Sequence, residues 1–309
     1  MPRQTNFHGG KINMANMARN TSGVVLPLSV SDEIWGNAQE ASAVMQLARK
    51  INLPGSGVTV PMVTGDAEAD WVNETDEKPV SDSTVSAKSI TPYKIAVIET
   101  FSNEFKRDIP GLYEELARRL PAALAKKFDQ TVFHATSAPG SNFDLLSGAP
   151  ALTLDATNTY GDLVAVDASI ANAGGILNGF VLSPKGRGVL LSATDSTNRP
   201  LFVSNLQTEN GVSNVLGSPV ILSRNVYKGD EAGDDGEVLG FAGDWTSAVY
   251  GTVNGIEVSM SDQASVNKNG TTLHLFQRNM FALRAEVEIG FAVSNLDHFV
   301  KIVGTNSVA

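Results

Sequence analysis

The chain has 309 residues, 42% apolar and 18% charged, enough to bury a full core in one large domain or two. Its net charge of −10 argues against a protein that grips nucleic acid over its whole surface. The absence of cysteine excludes disulfides, thiolate zinc sites and cysteine nucleophiles, and no apolar run approaches the roughly 18 residues of a membrane-spanning helix.

The first twenty residues hold Arg3, Lys11 and Arg19 and no acid, so they carry +3 against −13 for the remainder. They lack the apolar stretch of a secretory signal, and residues 1–23 read as an extended polar arm. A helix is predicted from Ser31 to Lys50. Ser31 is its N-cap, Asp32 and Glu33 fall in the first turn, and Arg49 and Lys50 fall in the last. Ile34, Ala38, Ala41, Val44, Met45 and Ala48 make its apolar stripe, and Pro54, Gly55 and Gly57 stop it. Residues 56–100 then alternate β-branched and polar side chains (Val58, Val60 and Val63; Val80, Thr84 and Val85) between turn residues, the pattern of a two-stranded ribbon. This ribbon has too few large apolar side chains for a core of its own. A lone ribbon is marginal in water, so it needs a partner surface.

Pro110-Gly111 precedes a helical pattern that runs to about Ala135, with Leu112, Leu116, Leu120, Leu124, Phe128 and Val132 recurring every fourth residue. At 3.6 residues per turn that stripe drifts by about 40° per step, which suits a helix crossing several neighbours. Pro121 inside it predicts a kink or two abutting helices. Residues 136–150 read as loop. Short strands and helices alternate from 151 to 250: buried strands at 179–183 and 218–223, a short helix from Pro184 to Ala193, a polar turn from Asp195 to Asn198 and an acidic, glycine-rich loop at 229–237. Residues 252–260 alternate as a strand, 273–293 mix strand alternation with a short helix, and 298–303 form a last strand.

Candidate chemistry is sparse. Glu99, Glu104 and Asp108 could serve acid–base work, but carboxylates just before a helix are accounted for by its unpaired N–H groups and dipole. Asp230, Glu231, Asp234, Asp235 and Glu237 could hold calcium, yet Ala232 breaks the EF-hand pattern and a solvated acidic loop is the plainer reading. His8, His134, His274 and His298 stand at no close ligand spacing, and there is no HExxH, GxSxG, Walker loop or GxGxxG. Met14 and Met17 lie in a stretch too polar for a membrane face and suit an arm against a neighbour. Trp35 and Trp71 fit either packing between subunits or ordinary core.

Several short motifs stand in a telling order. Ala69-x-Trp71-Val72-x-Glu74 lies in the ribbon. Ser102, Glu104 and Asp108 stand just ahead of the long helix. Gly217-Ser218-Pro219-Val220 and Gly243-Asp244-Trp245 follow, then Arg278-Asn279-Met280 and Arg284-Ala285-Glu286. None is specific alone. Together, over residues 24 to 303, they resemble the major capsid proteins of tailed bacteriophages, whose fold is shared with encapsulins and the herpesvirus capsid floor.

That resemblance implies an α+β phage major-capsid fold. It divides into an N-terminal arm (1–30), an N-terminal helix and linker (31–55), an extended β-hairpin loop (56–100), a spine-helix peripheral domain (101–140 with 251–303), an axial domain (141–250) and a C-terminal tail (304–309). It implies a non-enzymatic subunit, without cofactor or metal, that assembles into hexamers and pentamers of an icosahedral shell around double-stranded DNA. The implied partners are its own copies, a portal protein, the packaged DNA held non-specifically, a decoration protein and a scaffolding protein. The last is expected to be separate, because the long scaffolding segment that opens some members has no counterpart ahead of the motif region. The implied location is the virion capsid, assembled in the host cytoplasm.

The residues implied to meet neighbouring subunits are Trp71, Glu74, Lys78, Lys88, Glu104, Asp108, Asn279 and Glu286. Some members link subunits covalently, Lys to Asn with help from a Glu. Asn279 and Glu286 match, but the lysine position holds Ala87 with Lys88 one step later, on the other face of a strand. Both polar residues are therefore expected to be hydrogen bonded within the sheet. An encapsulin shell is the alternative within the fold. A hydrolase or carbohydrate-binding β-protein is the alternative outside it, and the sequence offers no catalytic set for either activity.

Overall fold

A single long strand organises the body of the protein. The computed structural model describes residues 36, 38–39, 41–65, 71–72, 84–103, 109–194, 199–201, 214–230, 236–268 and 270–304. In chain order these form α1 (Ala43–Leu47), β1 (Arg49–Asn52), β2 (Val58–Gly65), β3 (Thr84–Ile90), β4 (Tyr93–Ser102), α2 (Ile109–His134), β5 (Ala151–Leu154), α3 (Thr159–Asn172), β6 (Gly179–Leu182), α4 (Pro184–Ser192), β7 (Asn214–Val215), β8 (Ser218–Leu222), β9 (Val238–Gly243), β10 (Ala248–Thr252), β11 (Glu257–Ser261), β12 (Ser265–Lys268), β13 (Thr271–His274), β14 (Met280–Val293) and β15 (Phe299–Gly304).

The organising strand is β14. It pairs antiparallel with β4 from Met280↔Ser102 to Ile289↔Tyr93, with β11 on its other edge, and with β10 at its C-terminal end. β1 adds to β10 in parallel. Side chains alternate faces along a strand. Phe281, Leu283, Ala285, Val287, Ile289, Phe291 and Val293 of β14 are accordingly buried in the core, while Arg284, Glu286 and Glu288 take the other face.

α2 lies along the buried face, and the drift of its apolar stripe has a structural counterpart. Leu120 and Leu124 pack with Phe281 to Val287, whereas Phe128, Val132 and Phe133 pack with Phe291, Phe143 and Phe241. Phe133 stacks on Phe241 at 4.9 Å between ring centroids. The side chains of Leu112 and Leu116 lie outside the described residues.

A second sheet runs β5-β15-β9-β6-β8-β7. Its β6 and β9 are buried along their whole length. α3 and α4 cover one face through Leu163, Val166, Ile170 and Leu190, which pack on Phe180, Leu182, Leu239, Val300 and Ile302. The other face presents Val181, Phe241 and Phe299 to the core that contains α2. α2 is thus shared between both sheets. Trp245 pins this junction: its indole N–H donates to the Gly179 carbonyl at 3.1 Å and its ring meets Phe299 edge-on at 5.2 Å. Two further pairs, β2–β3 and β12–β13, are two-stranded sheets of their own.

Several expectations change. Arg49 and Lys50 lie in β1, paired with Val249 and Tyr250, and not in a last helical turn. The predicted helix is interrupted at Ser42, which opens α1 as an N-cap with its hydroxyl accepting from the Met45 N–H at 3.2 Å, and it ends at Leu47 because Ala48 is already extended. Ser31, Asp32, Glu33 and Ile34 lie outside the described residues, and Ala41 is exposed. α2 passes through Pro121 as one helical segment, so there are no two abutting helices. β8 is a half-exposed strand, because only the two-residue β7 lies beyond it. Residues 252–260 are two strands, with Asn254-Gly255 in the bend between β10 and β11. Residues 93–100, read as the end of the extended loop, belong to β4 in the body sheet. The polar turn at 195–198 and most of the acidic loop lie outside the described residues.

Candidate functional site

Two hairpins, β2–β3 and β12–β13, pair with no other described strand, and β2–β3 is the longer. The strands of β2–β3 pair from Val58↔Ile90 to Val63↔Val85, and no described strand of the body pairs with either. Its foot is apolar: Ile90 is fully buried with Leu53, Val249 and Ala292, and Val58 and Val60 pack against them. The turn into β2 requires glycine. Gly57 has φ +83° and its N–H donates to the Pro54 carbonyl at 2.8 Å, while a Cβ would stand 2.6 Å from the Ile90 carbonyl oxygen. Beyond the foot the ribbon becomes polar. Ala87 and Ser89 are exposed, and the Thr59 and Ser89 hydroxyls meet at 3.0 Å across the pair. Between the two strands in sequence, Trp71 is fully exposed and Val72 is 40% exposed.

Of the other candidate residues, three are engaged within the chain. Lys88 turns toward the body, donating to the Val293 carbonyl at 2.6 Å and pairing with Asp144 at 2.5 Å. Asn279 adopts φ +54° at the start of β14. Its carbonyl accepts from the Asn103 N–H at 2.9 Å and its Oδ1 from the Asn103 amide at 2.8 Å, which ties the ends of β14 and β4 together. Glu286 lies between Arg284 at 3.3 Å and Lys94 at 3.7 Å, and directly opposite Glu257 on β11. Two cations beside three carboxylates (Glu257, Glu286, Glu288) offset the like-charge pair. Asn279 and Glu286 stand seven residues apart on one strand, roughly 20 Å, so one chain does not bring them together. Glu74, Lys78, Glu104 and Asp108 lie outside the described residues. On the body, a groove of about 420 Å³ opens between Ile98 to Phe101 of β4, Arg119 of α2 and Val266 to Lys268 of β12.

Sequence reasoning missed two acids that hold this scaffold. Asp144 receives the Val293 N–H at 2.7 Å while its own N–H donates to the Phe291 carbonyl at 3.0 Å. Asp129 is buried on α2 and accepts from the Ser42 hydroxyl at 2.6 Å, the Ala43 N–H at 3.1 Å and the Asn225 amide at 3.1 Å. Burial pushes its carboxyl above the usual 3.8, and those donors pull it back only in part. Each directly follows a core phenylalanine, Phe128 or Phe143, and its partners lie far away in the sequence, so neither carried a local signal of its own. His134 sits at the end of α2 with Nε2 3.1 Å from the Asn225 carbonyl, and burial lowers its pKa below 6.5. No group of three or more metal-ligating side chains occurs among the described residues.

A helix-backed body that carries a hairpin paired with no other described strand suits a subunit completed by other subunits. Comparison with known proteins agrees. Residues 22–304 match the Phage capsid family. The chain is 30% identical over 297 residues to "Probable major capsid protein gp17" of Mycobacterium phage L5, covering 90% of this chain and 88% of that one. It is 29% identical to the protein of the same name in Mycobacterium phage D29, with the same coverage. A solved chain of Gordonia phage Cozz superimposes with a TM-score of 0.70 at 25% identity, over 86% of this chain and 87% of that one. The chain belongs to the phage capsid family. It is a structural shell protein of the tailed-phage kind, and its place is the virion capsid.

Proposed function

We propose that copies of this chain form hexamers and pentamers, and that these tile a closed icosahedral shell around a double-stranded DNA genome. The observation that carries this reading is the hairpin, whose strands pair with no other described strand while Trp71 and Val72 stand exposed. A strand residue spans about 3.3 Å, so a ribbon of forty residues reaches about 60 Å, far enough to lie across a sister copy. Each contact is modest, but every subunit makes several, and closure removes free edges. The groove beside Ile98 and Phe101 on the body is a surface such a ribbon can occupy.

In this reading residues 1–30 are an arm and 56–92 the extended loop. Residues 101–140 with 251–303, joined by β4, form the peripheral domain, and 141–250 form the axial domain. The net charge of −10 suits a wall that holds DNA loosely, with Arg3, Lys11 and Arg19 as the arm's cations. Trp71, Glu74, Lys78, Glu104 and Asp108 are the contacts offered to neighbours. The further partners are a portal protein, a scaffolding protein, a decoration protein and the DNA itself, with assembly in the host cytoplasm. The encapsulin alternative is not favoured, because the relatives that match nine-tenths of the chain carry phage capsid names. The test is a nuclease-treated lysate of a host infected by the parent phage: shells of this chain should protect full-length genomic DNA. Particles that hold a protein cargo and no DNA would reverse the choice.

A further inference from the structure

The hairpin has a second attachment besides its apolar foot, and the body is built to receive it. Asp144 is fixed before Lys88 reaches it: its N–H is spent on the Phe291 carbonyl and its Oδ2 receives the Val293 N–H at 2.7 Å. That carboxylate and the Val293 carbonyl together make a rigid socket at the end of β14. Lys88 fills it with one ammonium, 2.5 Å from Asp144 and 2.6 Å from the carbonyl oxygen. The lysine side chain is 35% exposed, whereas Ala87 and Ser89 on either side face solvent. A charge-assisted bond at a partly shielded site is stronger than a free surface pair.

Leverage makes this contact matter. Lys88 lies two residues from the buried end of β3 at Ile90, roughly 7 Å along the strand, while the described pairing continues to Gly65, roughly 23 Å from the same end. A shift of about 1 Å at Lys88 therefore moves the far end of that pairing by roughly 3 Å. We infer that Lys88 and Asp144 form a clasp that sets the pitch at which the hairpin leaves the body, and so aims it at its neighbour. The inference rests on the reading that the hairpin lies on a sister copy. It gives Lys88 a positioning role in this chain and withdraws its ammonium from chemistry between subunits.

Hydrogen–deuterium exchange of the unassembled, full-length chain tests the clasp directly. Asp144→Asn is the informative variant, because its amide oxygen still accepts from the Val293 N–H while the charge is gone. Lys88→Met removes the other partner from a half-exposed position. Both should speed exchange across residues 58–65 and 84–90 by about tenfold and leave β14 and the thermal midpoint of the body unchanged. Lys88→Arg should restore most of the protection. Hairpin exchange that matches the unsubstituted chain in both variants would overturn the clasp. Because this readout uses unassembled chains, it is independent of whether shells form. Failure of the unsubstituted chain to build particles is a separate result, against the assembly reading.

Discussion

Asp129 commits both of its carboxylate oxygens to three donors from two elements: Ser42 and Ala43 at α1, and Asn225 after β8. Asp129→Ala would leave those donors buried and unpaired, and should destabilise the unassembled subunit by about 3 kcal/mol in urea unfolding. His134 gives a pH signature with a definite sign. Its folded pKa is lowered from 6.5, so the unfolded chain binds the proton first. Its contribution is complete above 6.5 and is lost as pH falls through that value toward the folded pKa. Asp129 runs the other way: its raised value means that the folded chain holds the proton longer, and ionisation costs stability as pH rises above 3.8. His134→Gln, whose amide can still donate to the Asn225 carbonyl, should flatten the loss of unfolding free energy just below 6.5. An unchanged slope would place the titration elsewhere.

At the scale of elements, the turn at Gly57 and the proline in α2 are the positions where one substitution reads out a structural role. Gly57→Ala would press a Cβ against the Ile90 carbonyl at a positive φ, at a cost of about 1–2 kcal/mol, and would tilt the hairpin on its foot. It should leave the circular dichroism of the body intact while sedimentation moves from particles to free subunits; normal particles would argue against the hairpin's role. Pro121 lacks an N–H, so α2 forgoes one bond in its middle. Pro121→Ala should stabilise the subunit by up to about 3 kcal/mol, and if the proline is a hinge its shells should resist expansion. These elements were legible in different degrees. The stripe from Leu120 to Val132 was readable because a helix imposes a period that burial must respect. The end of the N-terminal helix was not, because the bond from Ser42 to Asp129 spans 87 positions and has no local signature. The clasp was hidden for the same reason: Lys88 and Val293 are 205 positions apart.

For the whole molecule, the sequence disclosed the order of parts better than their boundaries. The ribbon, the long helix and the closing strands could be placed because each has a pattern of its own. β4 was assigned to the ribbon because its alternation looks the same whether a strand pairs with a hairpin mate or with β14. Contact residues carry no such pattern, and three of those named, Lys88, Asn279 and Glu286, also have partners within the chain, as was expected of Asn279 and Glu286. The central claim is that this subunit is stable as a hairpin-bearing body only in part, and that its final form is collective. Expression of the chain followed by sedimentation and negative-stain microscopy tests it most directly. The account predicts closed, uniform shells in which the hairpin is protected from protease. A monodisperse 32.7 kDa monomer, with the hairpin folded on its own body and no particles at any concentration, would contradict it.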